Sequence, residues 1–261
     1  MKRKISALAI ILAFSSTPVM AADFWALEES TVGRSNNLFW LDLGVNFLNH
    51  KDPDIGGLGV STSEHGWIPA LQVGGSVLGD VGYYLSGSAS IAGGSSNYNG
   101  FDALFNPDTG YTENTIVNVN LQAGWNVSPF ESVMLTPYIE GAYQFWNRET
   151  QGNLKYTHFA ALAGLKLQFA PTTSTVLTTY GAYGNILSAE MKSNALDTTP
   201  DEKQIFRVGA KLAYSAPSTP RYEFFLASDY TSYEYGSSAT YPTDSWTHQL
   251  VTRVGLGYRF R

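Results

Sequence analysis

The residues 115–127 read TIVNVNLQAGWNV. Thr115, Val117, Val119, Leu121, Ala123, Trp125 and Val127 make one team, and Asn118, Asn120, Gln122, Gly124 and Asn126 make the other. Side chains alternate across a strand with a period of two, so this stretch is an amphipathic β-strand. It is about twice as long as a strand of an ordinary globular sheet. A tilted strand that crosses a bilayer needs roughly 9–11 residues. Few folds other than a barrel wall use such a strand.

The pattern recurs. Ten such segments are expected over about 38–49, 67–79, 82–97, 114–127, 132–148, 155–169, 174–188, 203–215, 220–235 and 246–260. The connections alternate between tight signals (GD at 79–80, SPFE at 128–131, APTT at 170–173, APSTP at 216–220) and mostly longer polar stretches at 50–66, 98–113, 189–202 and 236–245. Short turns on one side and long loops on the other are the plan of a transmembrane β-barrel. The expected fold class is therefore all-β: a closed antiparallel transmembrane barrel, most simply of ten strands, with eight or twelve as alternatives. No domain boundary or long-period repeat interrupts residues 38–261.

The N-terminus, MKRKISALAIILAFSSTPVMAA, has three basic residues, an apolar run too short to span a bilayer, and small residues near Ala21 and Ala22. It reads as a signal peptide over residues 1–21, followed by a short periplasmic leader, 22–37. Of 16 basic and 22 acidic residues, the peptide holds three basic ones. The mature chain then has 16 − 3 = 13 basic against 22 acidic, a formal −9. That charge argues against nucleic acid as a partner. There is no cysteine, which excludes thiol and Cys-ligated metal chemistry. Four histidines give little room for metal ligation, and no metal or cofactor is expected.

Charge decides which team faces inward. Asp42, Glu140, Lys166, Arg207, Lys211, Glu223, Asp229, Arg253 and Arg259 all fall on the non-apolar team. A Lys or Arg facing the bilayer midplane costs about 2–4 kcal/mol, so this team is expected to line the lumen. The alternative, a secreted lipocalin-like barrel, would put the apolar team inside. The aromatics then form two girdles: Trp125, Phe169, Tyr214, Tyr222, Tyr258 and Phe260 at the turn end, and Phe47, Trp67, Tyr143, Phe145, Phe159 and Trp246 at the loop end. The mixed lumen charges suggest salt bridges filling the bore, since an ion filter uses one sign. With the turn centred near Ser218, Arg207 is expected opposite Asp229.

The ending, with Val254, Leu256, Tyr258 and Phe260 in alternation, resembles the C-terminal assembly signal of Gram-negative outer-membrane proteins, with Arg261 as an added residue. The resemblance implies localisation to the outer membrane and recognition by the barrel-assembly machinery. It also implies outer-membrane lipid and lipopolysaccharide as surroundings. The ten-strand layout is similar to opacity-type adhesins and, less closely, to omptin proteases. An omptin-like site would need acidic residues and an Asp-His pair at the rim; His50, Asp52, Asp54, Asp244 and His248 are the nearest candidates, with spacing unlike the family's. No GxSxG, HExxH or phosphate-cradling loop occurs. The functional expectation is a surface barrel for binding, adhesion or structure, not an enzyme, with an unknown extracellular ligand or small solute. The alternatives are a narrow, weakly selective channel (a small porin) and an omptin-like protease.

Overall fold

The computed structural model describes residues 30–52, 61–101, 106–149, 153–193, 197–201, 203–237 and 244–260. A short helix α1, Thr31–Arg34, precedes β1 Leu38–Asp52, β2 Thr62–Leu78, β3 Tyr83–Phe101, β4 Pro107–Trp125, β5 Val127–Phe130, β6 Val133–Glu149, β7 Leu154–Thr172, β8 Thr175–Lys192, β9 Asp197–Thr198, β10 Gln204–Tyr214, β11 Tyr222–Tyr235 and β12 Ser245–Arg259. Ten long strands pair antiparallel with their neighbours. Here β5 only widens the β4–β6 turn, and β9 extends the edge of β8. The ring closes where β12 pairs with β1, from Leu38↔Arg259 to Lys51↔Trp246. The sheet therefore keeps no open edge along these strands, as spanning lipid requires.

Burial alternates along every long strand and sorts the two faces. Outside are Leu121 and Val254, more than 60% exposed, with Leu43, Val73, Ile139, Leu165 and Leu212. Inside are Asp42, Glu140, Glu223 and Gln168, almost wholly buried. An apolar exterior around a polar interior inverts the lipocalin plan and fits a wall bathed in hydrocarbon. Aromatic rings mark both ends of the apolar band. Phe47 meets Trp67 at 4.9 Å on the loop side, and Tyr222 meets Tyr258 at 5.7 Å and Phe39 meets Phe260 at 4.9 Å on the turn side. Trp125, Tyr143, Phe159, Phe169 and Tyr214 are exposed outward, with Phe145 and Trp246 half-buried beside them.

Two expectations need correction. The strands run well past the loop-side girdle, into 50–52, 62–66, 97–101, 107–113 and 189–192, so the connections there are shorter than expected. Above the girdle the outer face no longer meets hydrocarbon, and polar residues such as Ser95 and Glu113 continue the ladder. The β10–β11 register also differs. Ala216 and Thr219 accept successive turn bonds from Thr219 and Tyr222, and the hairpin is centred on Thr219. Tyr214 therefore faces Phe224, and Arg207 faces Thr231, two residues from the expected Asp229.

Turns and small residues fit the chain together. Gly82 closes the β2–β3 turn on the carbonyl of Gly79 with φ of 87°, a conformation that favours glycine. Inside the bore Tyr138 lies across Gly164 of the neighbouring strand, where a Cβ would strike its ring.

Candidate functional site

Among the described residues, side chains crowd both ends of the lumen, with a cavity between them. At the turn end the residues before β1 fold inward. Ser30 caps α1 by accepting from Gly33 N at 2.9 Å. Val32 sits in an apolar cluster with Leu78, Met134, Val176 and Phe225. Asn36 Nδ2 donates to Gln168 Oε1 at 2.8 Å, and Asn37 Oδ1 accepts from Leu78 N at 2.8 Å. Both asparagines are buried, so this segment stops the bore.

At the loop end a denser layer crosses it. Glu64 of β2, fully buried, accepts from Arg148 NH2 at 2.6 Å and Nε at 2.8 Å, from Asn114 Nδ2 at 2.6 Å, and from the Ser96 hydroxyl. Trp146 Nε1 donates to Asn114 Oδ1 at 2.6 Å. The Arg148 guanidinium lies over the Trp146 and Tyr156 rings, at 5.1 and 5.8 Å. Tyr156 stacks on Tyr235 at 5.3 Å, whose hydroxyl meets His158 Nδ1 at 2.7 Å. On the other wall His50 links Thr247 Oγ1 at 2.8 Å to Asp52 Oδ2 at 3.2 Å. Parity alone could have placed Glu64 and Trp146 inside; their cross-bore partners leave no local trace in the sequence.

Between the two seals lies a cavity of about 230 Å³. One wall is neutral and small: Ser86, Ser88, Ser90, Asn118 and Asn120. The other carries the charges named from the sequence. All nine lumen charges point inward, and their partners are now defined. Arg207 pairs with Glu140 across the bore, with Asn120 Oδ1 at 3.1 Å. Arg253 pairs with Asp229 and approaches Asp42 at 3.9 Å. Glu223 receives Lys211 at 2.6 Å and Arg259 at 2.7 Å. Lys166 donates to the Tyr84 hydroxyl.

The rim group does not assemble. His50 and Asp52 face inward into the seal. Asp54 lies outside the described residues. Asp244 turns to Lys203 at 2.9 Å, whose hydrogen bond holds that carboxyl below the usual carboxylate range. His248 is on the outer face, bonded to the Tyr230 hydroxyl at 2.8 Å and packed on Trp246. Thr247, His50 and Asp52 do stand in the order nucleophile, base, acid. Thr247 and His50 have no exposed surface, however, and neither lines the cavity. In this conformation the trio braces the seal and offers no approach to a substrate.

A closed ten-strand ring, an apolar band and aromatic girdles at both edges decide the setting. This chain is an outer-membrane β-barrel. No family model matches it, and no curated protein does. Among solved structures it is similar to the outer-membrane protease OmpT of Escherichia coli, with 10% identity over 87% of this chain and 98% of that one, at a TM-score of 0.54. The β-domain of the Bordetella autotransporter BrkA matches at 12% identity over 85% and 99%, TM-score 0.45. The toluene transporter TodX of P. putida matches at 9% over 90% and 94%, TM-score 0.33. The first likeness is one of fold.

Proposed function

We propose that this barrel is a sealed surface protein whose loop-end rim serves binding, adhesion or a structural role, with outer-membrane lipid and lipopolysaccharide around it. The barrel-assembly machinery is a further partner on this reading, through the alternating C-terminal strand. The Arg148–Glu64 layer carries the reading: a bore crossed by a buried ion pair beside stacked rings favours rigidity over passage. An eight-strand barrel is just filled by side chains, and here ten strands are filled at both ends. The test is single-channel recording in planar bilayers. The expected result is no conductance steps, or steps far below those of a 16-strand porin. Large, sustained steps overturn it.

The second reading is a narrow, weakly selective channel. The polar cavity with its Ser86, Ser88 and Ser90 wall favours it. On that reading small steps appear with little preference between anions and cations, because lumen charges of both signs are paired.

A further inference from the structure

We infer that the lumen holds a binding site for a small inorganic anion at Lys166. Between the two seals the inward charges number five basic (Lys166, Arg207, Lys211, Arg253, Arg259) and four acidic (Asp42, Glu140, Glu223, Asp229), of which Lys166, Arg207, Lys211, Arg253, Asp42 and Asp229 line the cavity. Four of the bases have carboxylates, through Arg207–Glu140, Arg253–Asp229, and the sharing of Glu223 by Lys211 and Arg259. Lys166 is the remainder. Among the described residues no carboxylate lies within ion-pair distance of it, although it is only 8% exposed.

A buried charge is ordinarily paired or neutralised. Lys166 has partial compensation: its ammonium stands 3.9 Å from the Tyr84 ring centroid and donates to that hydroxyl. An ammonium carries three donors, and one is thereby used. Beside it is a second donor without an acceptor. The Tyr138 ring lies 5.9 Å from the Lys166 nitrogen, and its hydroxyl, in a residue 4% exposed, makes no hydrogen bond. A buried cation that borders a polar cavity, with an unbonded buried hydroxyl on the ring behind it, calls for an acceptor that carries negative charge. Lys166, Gln168 and Thr178 all border the cavity. At about 230 Å³ the cavity takes a halide-sized anion with its water.

The experiment uses the folded full-length barrel in detergent. Loss of the folded, fast-migrating gel band is followed against temperature in chloride and in lactobionate at equal ionic strength, lactobionate being a disaccharide-sized anion too bulky for the cavity. For the wild type, saturating chloride should raise the midpoint by roughly 2–4 °C or more. Lys166→Met should lose that difference, and Tyr138→Phe should reduce it. Crystals soaked in bromide should show an anomalous peak within hydrogen-bond reach of the Lys166 nitrogen. Equal chloride dependence in wild type and Lys166→Met overturns the site. So does a wild type indifferent to chloride, or a bromide-soaked crystal with no peak beside Lys166. Should Lys166→Met fail to assemble, the Tyr138→Phe comparison and the wild-type soak still decide it.

Discussion

Glu64 has no exposed surface, and its polar neighbours Ser96, Asn114 and Arg148 all donate to it. Of these, only Arg148 supplies charge. Arg148→Met should therefore leave a carboxylate buried with neutral donors alone, at a cost of about 3–5 kcal/mol. Glu64→Gln combined with Arg148→Met removes the orphaned Glu64 charge and should recover part of that loss, while Asp52, 3.9 Å from Arg148, keeps only His50 and Thr62. Urea unfolding of the reconstituted barrel reads both. Arg148→Met within about 1 kcal/mol of wild type would show that Glu64 does not depend on its partner. At this scale the sequence was half legible. The inward placement of Arg207, Asp229 and Arg253 follows from parity. Their pairing does not, because Arg207 reaches across the bore to Glu140 on β6, a strand far away in the chain. Period-two patterning says which face a residue takes and is silent about what stands opposite through open space.

Strands were legible where lipid imposes the alternation. The stretch from His158 to Phe169 on β7 is apolar on every outward residue but keeps His158, Lys166 and Gln168 inside. Beyond the girdle, as in SSNYNGF at 95–101, both faces are polar, and a strand looks like a loop. Hydrogen-bonded pairing continues there regardless, from Ser95↔Glu113 to Phe101↔Pro107. Register is a finer property still. One residue of difference in turn centre, Thr219 in place of Ser218, moves each opposed pair by two. The cysteine-free chain offers a direct check. In the observed register Leu212 faces Leu226. The double substitution Leu212→Cys with Leu226→Cys should form a disulfide under mild oxidation, since opposed strand residues fall within bridging reach. Leu212→Cys with Phe224→Cys should form markedly less. Preferential bridging of the second pair would restore the register in which Arg207 faces Asp229.

The whole molecule is organised by its solvent. Its exterior carries Leu121, Ile139, Leu165 and Val254, while charged side chains such as Asp42, Glu64, Glu140, Arg148 and Glu223 are held inside. In water such a surface would be a liability; in hydrocarbon it is the condition of solubility. That inversion has a depth profile. Leu165 faces outward, 48% exposed, between Phe159 of one girdle and Phe169 of the other, and so lies near the midplane. Tyr111 faces outward too, 80% exposed, but on the part of β4 that rises beyond the loop-side girdle. Leu165→Arg should therefore cost about 2–4 kcal/mol in a bilayer, and Tyr111→Arg about 0–1. Both sites are on strand exteriors and neither disturbs the lumen, so the difference between them isolates depth. The measurement is reversible unfolding in urea with the barrel inserted in vesicles. In detergent micelles, which deform around a charge, the gap should narrow. If Leu165→Arg and Tyr111→Arg cost the same in vesicles, the band between the girdles is not buried in lipid, and the inward charges would need another explanation than avoidance of hydrocarbon.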